Sequence, residues 1–179
     1  ITFALAAVLP ATFAQPIYGI TLVVKSSTNF CSILPPNKGE SVGDAKSSDP
    51  GVGGVAFCTD PIDAAAIGAR SFPPGLITGA HYKTGVQAGL KYVQVTGALA
   101  AGAWLQANEQ GGQFDSATEA ENGSRPGSSC AGWGSYLNLV EGTDFCVRCC
   151  EGTGNEDNSP CDWHNDNAGC ASDIPGDYS

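Results

Sequence analysis

The stretch Phe145-Cys146-Val147-Arg148-Cys149-Cys150 decides how this chain is to be read. Six of the eight cysteines fall between Cys130 and Cys170, and three of them stand within these six residues. An even count at such density reads as a disulfide framework made in an oxidising compartment. All eight cysteines, Cys31, Cys58, Cys130, Cys146, Cys149, Cys150, Cys161 and Cys170, are therefore expected to be paired. The stretch itself reads as a strand. Strand side chains alternate between faces, so Cys146, Arg148 and Cys150 point one way and Phe145, Val147 and Cys149 the other. The neighbours Cys149 and Cys150 then take different partners, and the strand becomes a staple point for the C-terminal segment. Eight cysteines allow many connectivities, and the sequence selects none beyond placing the partner of Cys161 nearby or in this cluster.

Outward from the staple, residues 151–179 are rich in Asn, Asp, Gly and Pro and almost lack aliphatic side chains. Such a tail cannot bury a core of its own, so Cys161 and Cys170 must hold it down. On the other side, Gly134 to Glu141 alternates Tyr136, Asn138 and Val140 against Leu137 and Leu139, and Gly142-Thr143-Asp144 turns it into a hairpin with the cysteine strand. Lys91 to Gly97, KYVQVTG, sets Val93 and Val95 against Tyr92, Gln94 and Thr96, the pattern of a sheet with one wet side. Ile17 to Val24, Val55 to Cys58 and Leu76 to Tyr82 read as further strands. Asp60-Pro61 starts a turn, with Asp63 as the cap of a short helical segment over Ala64 to Ala69. Pro35 to Gly54 reads as a long surface loop, and Gly111 to Asp115 as a glycine-led turn into an acidic loop reaching Ser129. Ala98 to Ala107 fits helix and strand equally.

Composition points the same way. The 179 residues include 24 glycines and 11 prolines, and only 15% are charged, which favours short strands joined by turns over a helical bundle. The expectation is a mainly β fold, a single β-barrel or β-sandwich over residues 15–150, with a disulfide-stapled cysteine-rich tail over 151–179. Residues 1–14, ITFALAAVLPATFA, read as a signal peptide or N-terminal apolar segment, with Thr12 and Ala14 suited to cleavage before Gln15. Once that leader is removed, no membrane contact is expected. Eighteen acidic against eight basic side chains give a net charge of −10, which repels phosphate backbones and excludes nucleic acid as a partner. Asn122-Gly123-Ser124 is an N-glycosylation sequon.

Taken in succession, Cys31, GVAFC around Cys58, PPGLITGAHY, KYVQVTG, GGQFD, SYLNLVE, FCVRCC and the closing IPGDYS resemble a group of fungal secreted cysteine-rich proteins, some labelled macrophage-activating glycoproteins. The resemblance spans roughly Cys31 to Tyr178. It implies a secreted fungal origin and carries no chemistry with it. A second likeness is to the double-psi β-barrel proteins of the expansin and endoglucanase-like group, through GVGGVAFC and the aromatic-acid pair Phe114-Asp115. That likeness implies a polysaccharide groove, but Gln113 stands where the expansin-like pattern has a histidine.

Glycoside hydrolysis needs two carboxylates, and Asp60 and Asp115 are the pair the sequence offers; both also suit turn chemistry. His81 and His164 are the only histidines, and no GxSxG elbow accompanies them, so a hydrolase triad is not expected. The tail segment Asp157 to Gly169 lacks the spacing of a calcium loop, and disulfides compete with zinc for its cysteines, so neither a metal nor a cofactor is expected. Trp104, Trp133 and Trp163 read as packed residues rather than a sugar-binding row. The expectation is a secreted, non-catalytic surface, cell-wall or extracellular-matrix protein whose partners are copies of itself, as a homo-oligomer or filament, or cell-wall polysaccharide. The alternative is a polysaccharide-binding or polysaccharide-cleaving barrel using Asp60 and Asp115.

Overall fold

The structure, a computed structural model, describes residues 20–43, 45, 53–116, 128–156, 158–164 and 168–179. The expected leader over 1–14, the sequon at Asn122 and much of the 35–54 loop lie outside the described residues. The fold is mainly β. In chain order the elements are β1 (Thr21–Leu22), β2 (Val24–Ser26), β3 (Asn29–Leu34), β4 (Val55–Cys58), α1 (Pro61–Ile67), β5 (Arg70–Ser71), β6 (Ile77–Gln87), β7 (Leu90–Leu99), β8 (Gly112–Asp115), β9 (Ser129–Cys130), β10 (Ser135–Glu141), β11 (Asp144–Cys150) and α2 (Cys170–Asp173).

Three sheets result: β6-β7-β11-β10-β8, β2-β3-β4-β5 and the small parallel pair β1-β9. Every pairing in the five-stranded sheet is antiparallel. Among the described residues its ladder ends at β6 and β8 without closing, so the strands do not form a single closed barrel. The sheet is built from two hairpins. Glu141 faces Asp144 across the two-residue turn Gly142-Thr143, as the sequence pattern requires. Gln87 faces Leu90 across Ala88-Gly89, both at positive φ (49° and 82°), the conformation that matches the twist of the flanking strands.

Side-chain alternation on β11 divides the interior into two cores. Phe145, Val147 and Cys149 join Val93, Val95, Phe114, Tyr136 and Val140 on one face, where β2 and β3 pack across the sheet. Phe30 of β3 stacks on Phe145 of β11 at 5.5 Å, fastening the two layers. Cys146 and Cys150 turn to the opposite face and join Leu137, Leu139, Cys161, Cys170 and Ile174. The second core is thus made of one sheet face and the tail.

The crosslinks obey this division. Cys130–Cys149 ties the first face to β9, whereas Cys146–Cys170 and Cys150–Cys161 tie the second face to the tail. Cys31–Cys58 joins directly opposed residues of β3 and β4. None of the described cysteines is free.

Several local expectations change. The expected strand over Ile17–Val24 is, from Ile20 onward, split at Val23 into β1 and β2, because the chain leaves a parallel pairing with β9 for an antiparallel one with β3. The helix begins earlier than expected: Asp60, not Asp63, is its cap, accepting from the backbone N–H groups of Ile62 and Asp63. Pro61 fits the first helical turn because no intrahelical partner is needed there, and Gly68 (φ 70°) ends the helix in the left-handed region. Residues 112–115 are a strand, not a turn. Beyond Leu99 the ambiguous 98–107 segment is neither strand nor helix. The wet side expected for β7 is covered: Gln94 and Thr96 are each 1% exposed.

Cys146–Cys170 and Cys150–Cys161 lie 24 and 11 residues apart in the chain, and by loop closure each restricts the unfolded chain by about 3 kcal/mol. Alkylation of the folded protein without reduction is expected to add no mass; any labelled thiol contradicts the framework. After mild reduction, amide exchange in 158–164 and 168–179 should rise before that of β7, β10 and β11. Simultaneous opening would mean that tail and sheet form one cooperative unit.

Candidate functional site

Asp60 caps a helix and Asp115 ends a strand, so the two have different jobs. Asp60 comes after β4 and spends its carboxylate on the helix N-terminus, with Oδ1 accepting at 2.8 Å from Ile62 and 3.1 Å from Asp63. Asp115 ends β8 opposite Leu137 and is 0% exposed. Its Oδ2 accepts from Gln113 Nε2 at 2.9 Å, and the same amide reaches the Trp163 carbonyl at 3.4 Å. The strand period explains this placement: Phe114 enters the first core, so Gln113 and Asp115 must face the tail. Asp60 serves the backbone as a helix cap, whereas Asp115 is a buried strand residue.

The most developed polar cluster lies between the second sheet face and the tail, and centres on Arg148. Its side chain is held by Gln94 of β7, whose Oε1 accepts from both Nε (3.0 Å) and Nη2 (2.7 Å). Nη1 donates to the Pro160 carbonyl at 2.8 Å and the Asp173 carbonyl at 3.3 Å. The guanidinium carbon stands 4.5 Å from the centre of the Tyr92 ring, an attractive placement for a cation. Burial pushes its pKa below the ordinary arginine value, opposed by the Tyr92, Tyr178 and Asp173 groups. Around it, Gln94 Nε2 donates to the Pro175 carbonyl, Thr96 Oγ1 to the Asp177 carbonyl, and the Tyr178 hydroxyl to the carbonyls of Cys170 and Ile174. Gly176 lies so close to Thr96 that an added Cβ would collide with it. Burial pushes the Tyr178 hydroxyl well above its ordinary pKa, which keeps it a donor.

Beside this cluster opens a groove of about 750 Å³, lined among others by Gln87, Arg148, Asp162, His164, Ser172 and Asp173. Neither Asp60 nor Asp115 lines it. His164 is gripped by Asp162, whose Oδ1 lies 2.7 Å from Nδ1 and also accepts from the His164 backbone N–H, and its ring stacks on Trp163 at 4.0 Å. A carboxylate-held imidazole is the base half of a nucleophilic site. Among the described residues its partners here are Asp162 and an indole. His81, on β6, bonds the Ser179 carbonyl through Nε2 and faces Asp177 at 3.6 Å. The two histidines therefore order the tail.

The tryptophans do not form a row. Trp104 packs on the first core, donates to the Pro35 carbonyl and meets Phe57 edge-on, and Trp133 also packs there, while Trp163 packs on the second core across the sheet. Among the described residues no group of three or more His, Cys, Asp or Glu is placed to hold a metal ion. Arg148 and Gln94 are the residues to which sequence reasoning assigns no role. The available signal is the spacing Cys146-x-Arg148-x-Cys150: an arginine sharing a face with two crosslinked cysteines is covered by whatever they crosslink to.

No protein-family model matches the chain, no curated protein matches its sequence, and no solved structure matches its fold.

Arg148→Met keeps the volume but strips the donors from Gln94 Oε1 and two tail carbonyls, so a loss of about 2 to 4 kcal/mol is expected by chemical denaturation. A loss below about 1 kcal/mol would show that the arginine does not anchor the tail. Asp60→Ala is expected to cost about 1 kcal/mol through loss of the helix cap, and Asp60→Asn only a few tenths. Equal losses in the two variants would contradict the capping role.

Proposed function

We propose that this chain is a secreted, non-catalytic structural subunit of an extracellular surface, cell wall or matrix, and that it associates with copies of itself. The burial of Asp115 carries this reading. A general acid must reach a glycosidic oxygen, and a carboxylate that is 0% exposed and bonded to Gln113 is held away from a sugar chain. Asp60, the other half of the pair, is engaged by a helix terminus. Four disulfides suit an oxidising extracellular setting, and among the described residues no helix is long and apolar enough to cross a membrane. The architecture that fits best is a two-layer β-sandwich with the tail as a third cover. The motif succession from Cys31 to Tyr178 supports a fungal origin, and with it cleavage before Gln15 and a glycan on Asn122.

The polar groove beside Arg148 favours one competing reading, in which the second sheet face receives a polysaccharide. The two readings part in a direct assay. Wild-type protein incubated with β-glucan or chitin is expected to release no soluble sugar. Release that is lost in Asp115→Asn, with the fold intact, would replace the structural reading with the hydrolytic one, since the amide keeps the shape and cannot carry the proton.

A further inference from the structure

β6 is an eleven-residue strand at the edge of the five-stranded sheet, about twice the usual strand length, and among the described residues β7 is its only ladder partner. Such an edge is a template for another strand, and proteins commonly blunt it with charge, proline or a cover. Apart from a bulge between Ile77 and Gly79, β6 runs regularly to Gln87 and contains no proline. Among the described residues, two of the three large exposed hydrophobics lie on it: Tyr82 at 38% and Val86 at 65%. Both share the face of Thr84, because Tyr82, Thr84 and Val86 stand opposite Val95, Val93 and Lys91.

We propose that two copies of this chain pair through β6 in an antiparallel, two-fold arrangement centred on Thr84. This deepens the self-associating reading of the protein's function and rests on it. An antiparallel two-fold seam places residue i opposite its mirror about the central residue, so the choice of centre can be tested on side chains. Centred on Lys83, two lysines stand directly opposed; centred on Tyr82, Lys83 opposes His81. Centred on Thr84, Tyr82 meets Val86 twice, Thr84 meets Thr84, His81 meets Gln87, and Lys83 meets Gly85. The first two are the aromatic–β-branched and Thr–Thr pairs that stabilise neighbouring strands. The one lysine of the edge then faces Gly85, whose open side is filled by the Tyr92 ring, and no like charge is directly opposed.

Charge distribution selects a second copy as the occupant. The chain bears a net charge of −10, yet residues 64–108 contain none of its 18 acidic side chains. Two copies therefore meet along strands that carry no carboxylate of their own, although the tail sets Asp177 3.6 Å from His81 of β6. Salt screens the residual repulsion, so pairing should strengthen as ionic strength rises. A seam of two strands lies at the small end of specific interfaces, with a dissociation constant expected roughly in the micromolar range.

The test uses the full disulfide-bonded chain in sedimentation velocity across the micromolar range, at low and high salt. A monomer–dimer equilibrium that strengthens with salt is expected. Val86→Lys, on an exposed side chain, should weaken it by roughly tenfold or more without changing the far-ultraviolet spectrum. Register is read by mild oxidation of single-cysteine variants: Thr84→Cys should crosslink two chains faster than Tyr82→Cys or Val86→Cys, since only residue 84 opposes itself. A monomer throughout, a dimer insensitive to Val86→Lys, open-ended growth instead of a dimer, or faster crosslinking at 82 or 86 would each overturn the proposal. Sugar release would sink the structural reading without touching these measurements, so the two failures are distinguishable.

Discussion

The two faces of β11 impose incompatible demands, and the rest of the molecule is arranged to meet both. As an interior strand flanked by β7 and β10, β11 has its backbone groups satisfied by its neighbours, which leaves only its side chains to be covered. On one face Phe145, Val147 and Cys149 are covered by an ordinary second layer, through the Phe30–Phe145 stack. On the other face Cys146, Arg148 and Cys150 meet a segment with one four-residue helix and, among the described residues, no strands. Apolar contact there is limited to residues such as Ile174, Trp163 and Tyr178 packed on Leu137 and Leu139. Full burial of one aliphatic side chain is worth about 1.5 to 3 kcal/mol, so a few such contacts cannot offset the ordering of a whole irregular tail. The two bridges reduce that deficit by restricting the unfolded chain.

Covalent restraint leaves a second problem, which polar side chains solve. An irregular segment laid against a sheet brings carbonyls that no ladder satisfies, and each one buried without a donor costs free energy comparable to a lost hydrogen bond. Arg148, Gln94, Thr96 and Tyr178 supply donors to the carbonyls of Pro160, Asp173, Pro175, Asp177, Cys170 and Ile174. Arginine suits the central position because its planar fork serves Gln94 on one side and two tail carbonyls on the other while its face lies over Tyr92. The guanidinium is thus a main-chain donor array in side-chain form.

These demands separate what is legible in the sequence from what is not. The alternation in FCVRCC, KYVQVTG and SYLNLVE is readable because strand period depends on neighbouring residues alone, and it assigns the side chains from Phe145 to Cys150 to the faces they occupy. The same period cannot say what lies above Gln94 and Thr96, since polar residues facing water and polar residues facing buried carbonyls produce one pattern. The helix start is misplaced for a related reason: Asp60 and Asp63 both suit a cap, and Pro61, which fits the first helical turn, is equally a turn signal. Asp115 is visible as a carboxylate, but it is 0% exposed, and the Gln113 amide bonded to it also reaches the Trp163 carbonyl, 50 residues beyond Gln113 in the chain. Contacts of that range leave no trace in local pattern.

The distribution of reactive groups bears on function in the same physical terms. The candidate side chains are each engaged within the chain: Asp60 by a helix terminus, Asp115 by Gln113, His164 by Asp162 and Trp163, and Arg148 by Gln94 and the tail. Among the described residues β6 has no second ladder partner, which leaves backbone along its outer edge. A surface of that kind recognises through main-chain hydrogen bonds and the spacing of alternate side chains, without needing a perturbed carboxylate or an activated nucleophile. The acid-free segment 64–108 places this edge in the part of the chain where a like-charged neighbour is least opposed. Three of the four crosslinks end on β11, two strands in from this edge, so the covalent restraint on the sheet lies away from the surface a partner strand would use.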